Sequence, residues 1–279
     1  MLELSVEFFP PKTGEGISRF KEAAKELSLM RFGFASVTYG AGGSTRDGTL
    51  ATARELKKSF KEGVPHVSCY GSDEKSIFDL LDSYAKHGFS RLVVLRGDLP
   101  SGYGGLGEFK NAVDLVRFIR REFGNHFKIE VAAYPEKHPQ SDSCEKDINY
   151  FVEKINAGAD GAITQYFYNP DAYFSFVEEA HKRGVTVPIV PGIMPITNFS
   201  QLARFSDSCG AEIPKWIRNR LSDFGDDRVK IYSFGISVVT RLCKNLLQNN
   251  CPGLHFYSMN QSKPIVDILS GIPFANNDE

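Results

Sequence analysis

Eight short apolar runs, each followed by an amphipathic stretch at a mean spacing of about 35 residues, predict an α/β domain closed as a (β/α)8 barrel. No low-complexity tract or Pro/Gly/Ser linker divides the 279 residues, so 1–279 reads as one catalytic domain. Polar side chains also keep to one parity within several of the runs, as they would where one strand face lines a barrel interior. An open doubly wound sheet shares the alternation, but the count of eight favours closure.

The candidate strands are Glu3–Phe9, Phe34–Tyr39, His66–Tyr70, Arg91–Leu95, Lys128–Tyr134, Gly161–Gln165, Val187–Pro191 and Leu254–Tyr257. Helical periodicity lies between them, for example over Ser18–Met30, Asp73–His87, Glu108–Phe123, Lys146–Ala157 and Asp171–Arg183. The last two units are uneven: Asn198–Asn249 has room for three helices, including an insertion around Pro214–Leu221. Within the strands, Glu3, Ser5 and Glu7 share a face, as do Ser36 and Thr38, and His66, Ser68 and Tyr70. Arg96 and Asp98 share a parity at the end of the fourth strand, and Gln165 ends the sixth. A polar strand end is commonly a solvated loop start. Six together point to groups converging on the C-terminal mouth, where barrels carry their sites.

Composition narrows the function classes. The 33 basic and 34 acidic residues leave a net charge of -1, which gives no electrostatic reason to expect nucleic acid or a membrane surface. No apolar run reaches the roughly 20 residues of a membrane span. The N-terminus carries Glu3 and Glu7 and no basic residue before Lys12, unlike a secretory signal. Five cysteines without a Cys-x-x-Cys pair argue against a disulfide framework, a zinc ribbon or an iron–sulfur cluster. A cytoplasmic protein without a metal is expected.

Five segments carry chemistry. Glu7 lies at a strand end among Phe8, Phe9, Pro10 and Pro11, where low polarity would raise a carboxyl pKa and suit a general acid; a salt-bridged strand terminus is the alternative. In Arg96-Gly97-Asp98-Leu99-Pro100, a glycine between opposite charges permits close backbone approach to a flat ligand, or simply a turn with an ion pair. Gly102-x-Gly104-x-x-Gly107 matches the dinucleotide fingerprint formally but starts too far beyond its strand to act as one. Ala132 through Pro139 offers two small residues, Tyr134 and His138 as a slot for a ring, with Asp147 and Lys154 seven apart on the next helix. Gln165 places a primary amide, both donor and acceptor, among aromatics at a strand end.

Taken together, the motifs resemble the bacterial 5,10-methylenetetrahydrofolate reductase family from end to end. The matching segments are Val6–Pro11, Ser36–Ala41, Pro65–Cys69, Leu95–Pro100, Ala132–Pro139, Ala162–Gln165, Pro191–Pro195 and Leu254–Tyr257. The resemblance implies a barrel that holds FAD at its C-terminal mouth without a Rossmann motif. It implies reduction of methylenetetrahydrofolate to 5-methyltetrahydrofolate by NADH or NADPH, in two alternating half-reactions, within one-carbon metabolism and methionine biosynthesis. By the same resemblance Glu7 matches the general acid and Asp98 a carboxylate near the flavin. Thr38, Tyr39, Ala41, His66, Arg96, Gly97, Tyr134, His138, Asp147 and Lys154 match flavin-contacting positions.

Gln165 matches a residue shared by folate and nicotinamide, and Gln201 and Phe205 match substrate-binding positions. The family's Leu-Asn-Arg reads Met259-Asn260-Gln261 here, so Gln261 stands where an arginine would meet the folate. The resemblance further implies a homo-oligomer. The chain ends soon after the last strand, so no response to S-adenosylmethionine is expected. Two rivals remain: another flavin barrel enzyme, such as a proline dehydrogenase-like oxidase, and a catalytically silent folate- or flavin-binding scaffold. The folate-type motifs oppose the first, and Glu7, Asp98 and Gln165 oppose the second.

Overall fold

Eight parallel strands pair in sequence order and close on themselves: β1 (Glu3–Phe8), β2 (Phe34–Val37), β3 (Gly63–Ser68), β4 (Arg91–Leu95), β5 (Lys128–Ala133), β6 (Gly161–Tyr166), β7 (Ile189–Ile193) and β8 (Gly253–Tyr257). The computed structural model describes residues 2–39, 46–97 and 107–272. Closure is made by β8 against β1, with Ser5 opposite His255 and Glu7 opposite Tyr257. The chain is thus the (β/α)8 barrel its alternation predicts.

Ten helices surround the barrel among the described residues: α1 (Gly14–Ser28), α2 (Arg46–Leu56), α3 (Glu74–Lys86), α4 (Ala112–Phe123), α5 (Cys144–Asn156), α6 (Pro170–Lys182), α7 (Phe199–Cys209), α8 (Lys215–Asp223), α9 (Arg228–Gln248) and α10 (Lys263–Ser270). Caps set several starts. Asp73, Asn111, Ser143 and Asn169 each accept an amide of the following turn. The Asn111 cap explains why α4 starts at Ala112 and not at Glu108, where periodicity alone would begin it. Likewise Ser143 starts α5 two residues ahead of Lys146. The stretch Asn198–Asn249 does hold three helices, α7, α8 and α9.

Strand bounds differ most at prolines. β3 includes Pro65 and starts at Gly63, and β7 carries Pro191 at its centre, although proline normally demotes a central strand. Gly63 is required where α2 crosses β3: a Cβ there would lie 2.4 Å from the carbonyl oxygen of Ala53.

The two strand parities build two separate interiors. Val6, Phe8, Val67, Leu92, Val94, Ile129 and Val131 face the helices and join the main core. The inward parity is layered along the barrel axis. At the N-terminal end the buried Arg91 guanidinium lies 3.1 Å from Glu3, 3.4 Å from Glu130 and 3.5 Å from Glu62, and 4.3 Å from the Phe34 ring centroid. Burial raises the pKa of Glu130, while the charges of Arg91 and Lys128 oppose the shift. Next comes a small apolar layer of Phe34, Val64, Val93 and Ile163, with Leu95 against it. Beyond it, at the C-terminal ends, the inward side chains become polar.

This parity corrects one expectation. The inward residues of β4 are Arg91, Val93 and Leu95, so Arg96 belongs to the opposite parity. The strand stops at Leu95, after which alternation no longer dictates direction.

Candidate active site

The polar layer centres on Glu7. Its Oε2 lies 3.5 Å from His66 Nε2 and 3.8 Å from His255 Nε2, so two imidazoles from β3 and β8 face one carboxylate from β1. His255 is fully buried and its Nδ1 is 2.8 Å from the Ser5 hydroxyl, which fixes the ring so that Nε2 points to Glu7. His66 is only 3 % exposed, yet neither ring nitrogen has a hydrogen-bond partner among the described residues. Burial, with help from His255, pushes its pKa down to about 4 against the opposing charge of Glu7. His66 is therefore a neutral imidazole near pH 7.

The hydrogen bonds that hold Glu7 are made to its backbone. Ser258 donates to the Glu7 carbonyl from both its amide (3.1 Å) and its hydroxyl (2.5 Å). Asn260 brackets Phe9, accepting from its amide at 3.0 Å and donating to its carbonyl at 2.9 Å. The loop after β8 thus fixes the end of β1.

A second polar group lies on the β4 and β5 side. The Arg96 guanidinium donates to the Gln140 side chain at 2.5 Å. Gly97 takes a φ of +90°, and a Cβ there would meet the Ser68 hydroxyl at 1.9 Å, so the glycine is required by conformation and crowding alike. The Tyr134 and His138 rings meet edge to face at 4.5 Å, and Asp147 accepts from the His138 amide at 2.8 Å. Lys154, though on the same helix as Asp147, donates to the Ala132 carbonyl in β5; burial lowers its pKa to about 8 against the opposing charge of Asp147. A cleft of about 400 Å³ opens beside this group, lined by Tyr134, Lys137, Asp147, Ile148, Phe176 and Arg183.

Gln165 lies near the end of β6, where its Oε1 accepts from the Tyr166 amide at 3.0 Å. Helix α7 packs over this strand through Ser206 and Cys209, which lie 3.1 and 3.5 Å from the Tyr166 hydroxyl. Gln201 and Phe205 are one turn apart on α7 and partly buried. The far end of α7 is tied to the loop after β5, where Glu136 accepts from the Glu212 amide at 2.7 Å. Gln261 is exposed on the loop after β8. Thr38 and Tyr39 follow directly on β2 and are partly buried. Ala41, Asp98 and the Gly102–Gly104 stretch lie outside the described residues.

Sequence reasoning named Glu7 and His66 but passed over His255 and Ser5 as site residues. Both belonged to the inward parity, which was the available signal. Their contact spans 250 positions and exists only because β8 closes on β1.

An α/β barrel with a carboxylate, two imidazoles and an amide at the C-terminal ends of its strands is of the enzyme-bearing class. Within that class, the chain belongs to the methylenetetrahydrofolate reductase family, whose model matches residues 2–273. It is 36% identical over 282 residues to a probable methylenetetrahydrofolate reductase (NADH) of Oryza sativa subsp. japonica, covering 96% of this chain and 48% of that one. It is 34% identical over 263 residues to the 5,10-methylenetetrahydrofolate reductase of Pectobacterium carotovorum, with 94% and 87% covered. The Escherichia coli 5,10-methylenetetrahydrofolate reductase is 33% identical, with 94% and 88% covered. The chain spans about half the length of the plant relatives it matches.

Among solved structures, a Clostridium thermocellum protein described as binding two copies of 5-methyl-5,6,7,8-tetrahydrofolic acid aligns with a TM-score of 0.67 over 98% of this chain and 95% of that one. At 18% identity this likeness speaks to the fold alone.

Proposed function

We propose that residues 1–279 form one catalytic domain that reduces 5,10-methylenetetrahydrofolate to 5-methyltetrahydrofolate at the expense of NADH or NADPH, with FAD as carrier. The product would serve methyl transfer in methionine biosynthesis. The observation that carries this reading is Glu7, a carboxylate at the barrel mouth facing two imidazoles, in a chain whose family is named for that reaction. NADH is the nicotinamide in the names of the plant relatives.

The residues present fit a flat heteroaromatic cofactor. His66 offers two buried ring nitrogens without a hydrogen-bond partner among the described residues, and Gly97 presents backbone without a side chain. Thr38, Tyr39, Arg96, Tyr134, His138 and Asp147 ring the same mouth and would hold the remainder. Lys154 would support β5 through Ala132, and Ala41 and Asp98 complete the proposed set. A bound FAD would supply two-electron transfer between nicotinamide and folate.

The protein supplies the rest. Glu7 delivers a proton to N10 of the folate as its five-membered ring opens. His255, oriented by Ser5, and neutral His66 face that carboxyl at 3.8 and 3.5 Å. Gln165 hydrogen-bonds the ring edge of whichever ligand occupies the mouth. Gln201 and Phe205 on α7 cover that ligand, and Gln261 lies where the tail of the folate would leave.

The test separates the two half-reactions. Glu7→Gln keeps size and hydrogen bonding but cannot act as an acid. Stopped-flow bleaching of the flavin band by NADH should stay within a few-fold of wild type. Recovery of the band with methylenetetrahydrofolate should slow by about 10²–10⁴. Equal slowing of both steps would make Glu7 a structural carboxylate and place the acid elsewhere.

A further inference from the structure

The pairing of β6 with β7 is irregular at one place. Ile163 pairs with Val190, but the next pair is Tyr166 with Gly192, so three steps along β6 are matched by two along β7. Such a bulge leaves ladder groups unpaired and redirects the side chains within it. Gln165 is inside this bulge.

Three side-chain features accommodate it. The Gly192 amide donates to the Thr164 hydroxyl at 2.9 Å instead of to a ladder carbonyl. The Tyr257 hydroxyl reaches from β8 across β7 and donates to the Thr164 carbonyl at 2.7 Å. Gly192 makes that crossing possible, since a Cβ there would lie 2.1 Å from the Thr164 carbonyl oxygen and 2.8 Å from the Tyr257 ring. Between the Thr164 carbonyl held by Tyr257 and the resumed pairing at Tyr166, the Tyr166 amide bonds the Gln165 side-chain oxygen. Because the backbone N–H can only donate, the amide end of Gln165 is determined: Oε1 is engaged, and Nε2 is the end that carries donors for a ligand.

We propose that Tyr257 is a positioning residue that, through the Thr164 carbonyl and the β6 bulge, aims the Gln165 amide so that it offers a donor to the ligand. This rests on the reading above, in which Gln165 meets both nicotinamide and folate. Tyr257 itself acts through the strand, not by touching the reacting atoms.

The test is Tyr257→Phe, with Thr164→Val as a second way to release the bulge and Tyr173→Phe as control. Tyr173 also donates a buried hydroxyl to a strand carbonyl, that of Ile189 at 2.7 Å, but at the start of β7. In the flavin-loaded protein, Tyr257→Phe and Thr164→Val should raise KM for NADH and for methylenetetrahydrofolate about tenfold, by more than kcat falls. In a Gln165→Ala background the same substitutions should change KM by less than about twofold, because the group they aim is gone. Hydrogen exchange at the Tyr166 amide should accelerate about tenfold or more in both variants and stay unchanged in Tyr173→Phe. Unchanged exchange at Tyr166, an undiminished KM effect in the Gln165→Ala background, or the same KM shift in Tyr173→Phe would each overturn the proposal. Faster exchange at Tyr166 in a protein that does not reduce methylenetetrahydrofolate would instead overturn the functional reading and leave the positioning role standing.

Discussion

At the scale of single residues, His66 gives the clearest consequence of the layered barrel. Its ordinary pKa of 6.5 falls to about 4 in the folded protein, chiefly by burial. Between those values the unfolded chain takes up a proton that the folded chain refuses. Stability therefore rises with pH across this window, is fully present above about 6.5, and is lost as pH falls toward 4. A tenfold difference in proton affinity between folded and unfolded chain is worth about 1.4 kcal/mol, so the contribution of this imidazole approaches about 3 kcal/mol. Urea unfolding from pH 7 to 4.5 should show wild type losing about 2–3 kcal/mol more than His66→Asn, the carboxylates common to both cancelling. Parallel curves would mean that the imidazole is protonated in the folded state.

At the scale of elements, the end of β1 depends on a loop about 250 residues away in the chain. Ser258 and Asn260 hold the backbone of Glu7 and Phe9, and Asn260 does so with a φ of +55°, a conformation asparagine tolerates better than most residues. Asn260→Ala would strand the amide and carbonyl of Phe9 and place a Cβ-bearing residue without a polar side chain in the left-handed region. The expected cost is about 3 kcal/mol in urea unfolding. Asn260→Gly loses the same bonds but relieves the backbone, so it should cost about 1 kcal/mol less. If the two variants were equally destabilised, the hydrogen bonds alone would account for the loss. The same loop explains why the carboxylate of Glu7 has a defined place even though it is the last polar residue before two aromatics and two prolines.

At the scale of the whole molecule, the barrel separates structural charge from the candidate site. Arg91, Glu3, Glu62, Lys128 and Glu130 gather at the N-terminal end, Phe34, Val64, Val93 and Ile163 fill the middle, and Glu7 with its histidines occupies the mouth. Arg91→Met would keep an apolar stem over Phe34 but leave Glu130 buried without its cation. Breaking a buried pair in this way costs about 3–5 kcal/mol, and adding Glu130→Gln should recover most of it. Denaturation curves of the two variants measure this. KM values of the folded enzyme should not move, since an apolar layer lies between the two polar ends. A shifted KM would show that strain at one end of the barrel reaches the other.

What could be read from the sequence was what short-range physics specifies. The alternation of strand and helix, the helix starts near Asp73 and Asp171, and the inward parity of Glu3, Ser5 and Glu7 depend on neighbours a few residues apart, and all are found in the structure. The positions of Glu7 and Gln165 at strand ends followed from the same local pattern. Tertiary structure alone decided the rest. Arg96 falls on the parity opposite to the inward Arg91, Val93 and Leu95, and one residue past a strand end set by pairing between strands. Pro65 and Pro191 sit inside strands because closure of the barrel overrides their local preference. His255 joined Glu7, and Tyr257 reached Thr164, only when β8 closed on β1 and the bulge in β6 formed beside Gly192. Strand register is a property of pairs of distant segments, and no window along one chain contains both members.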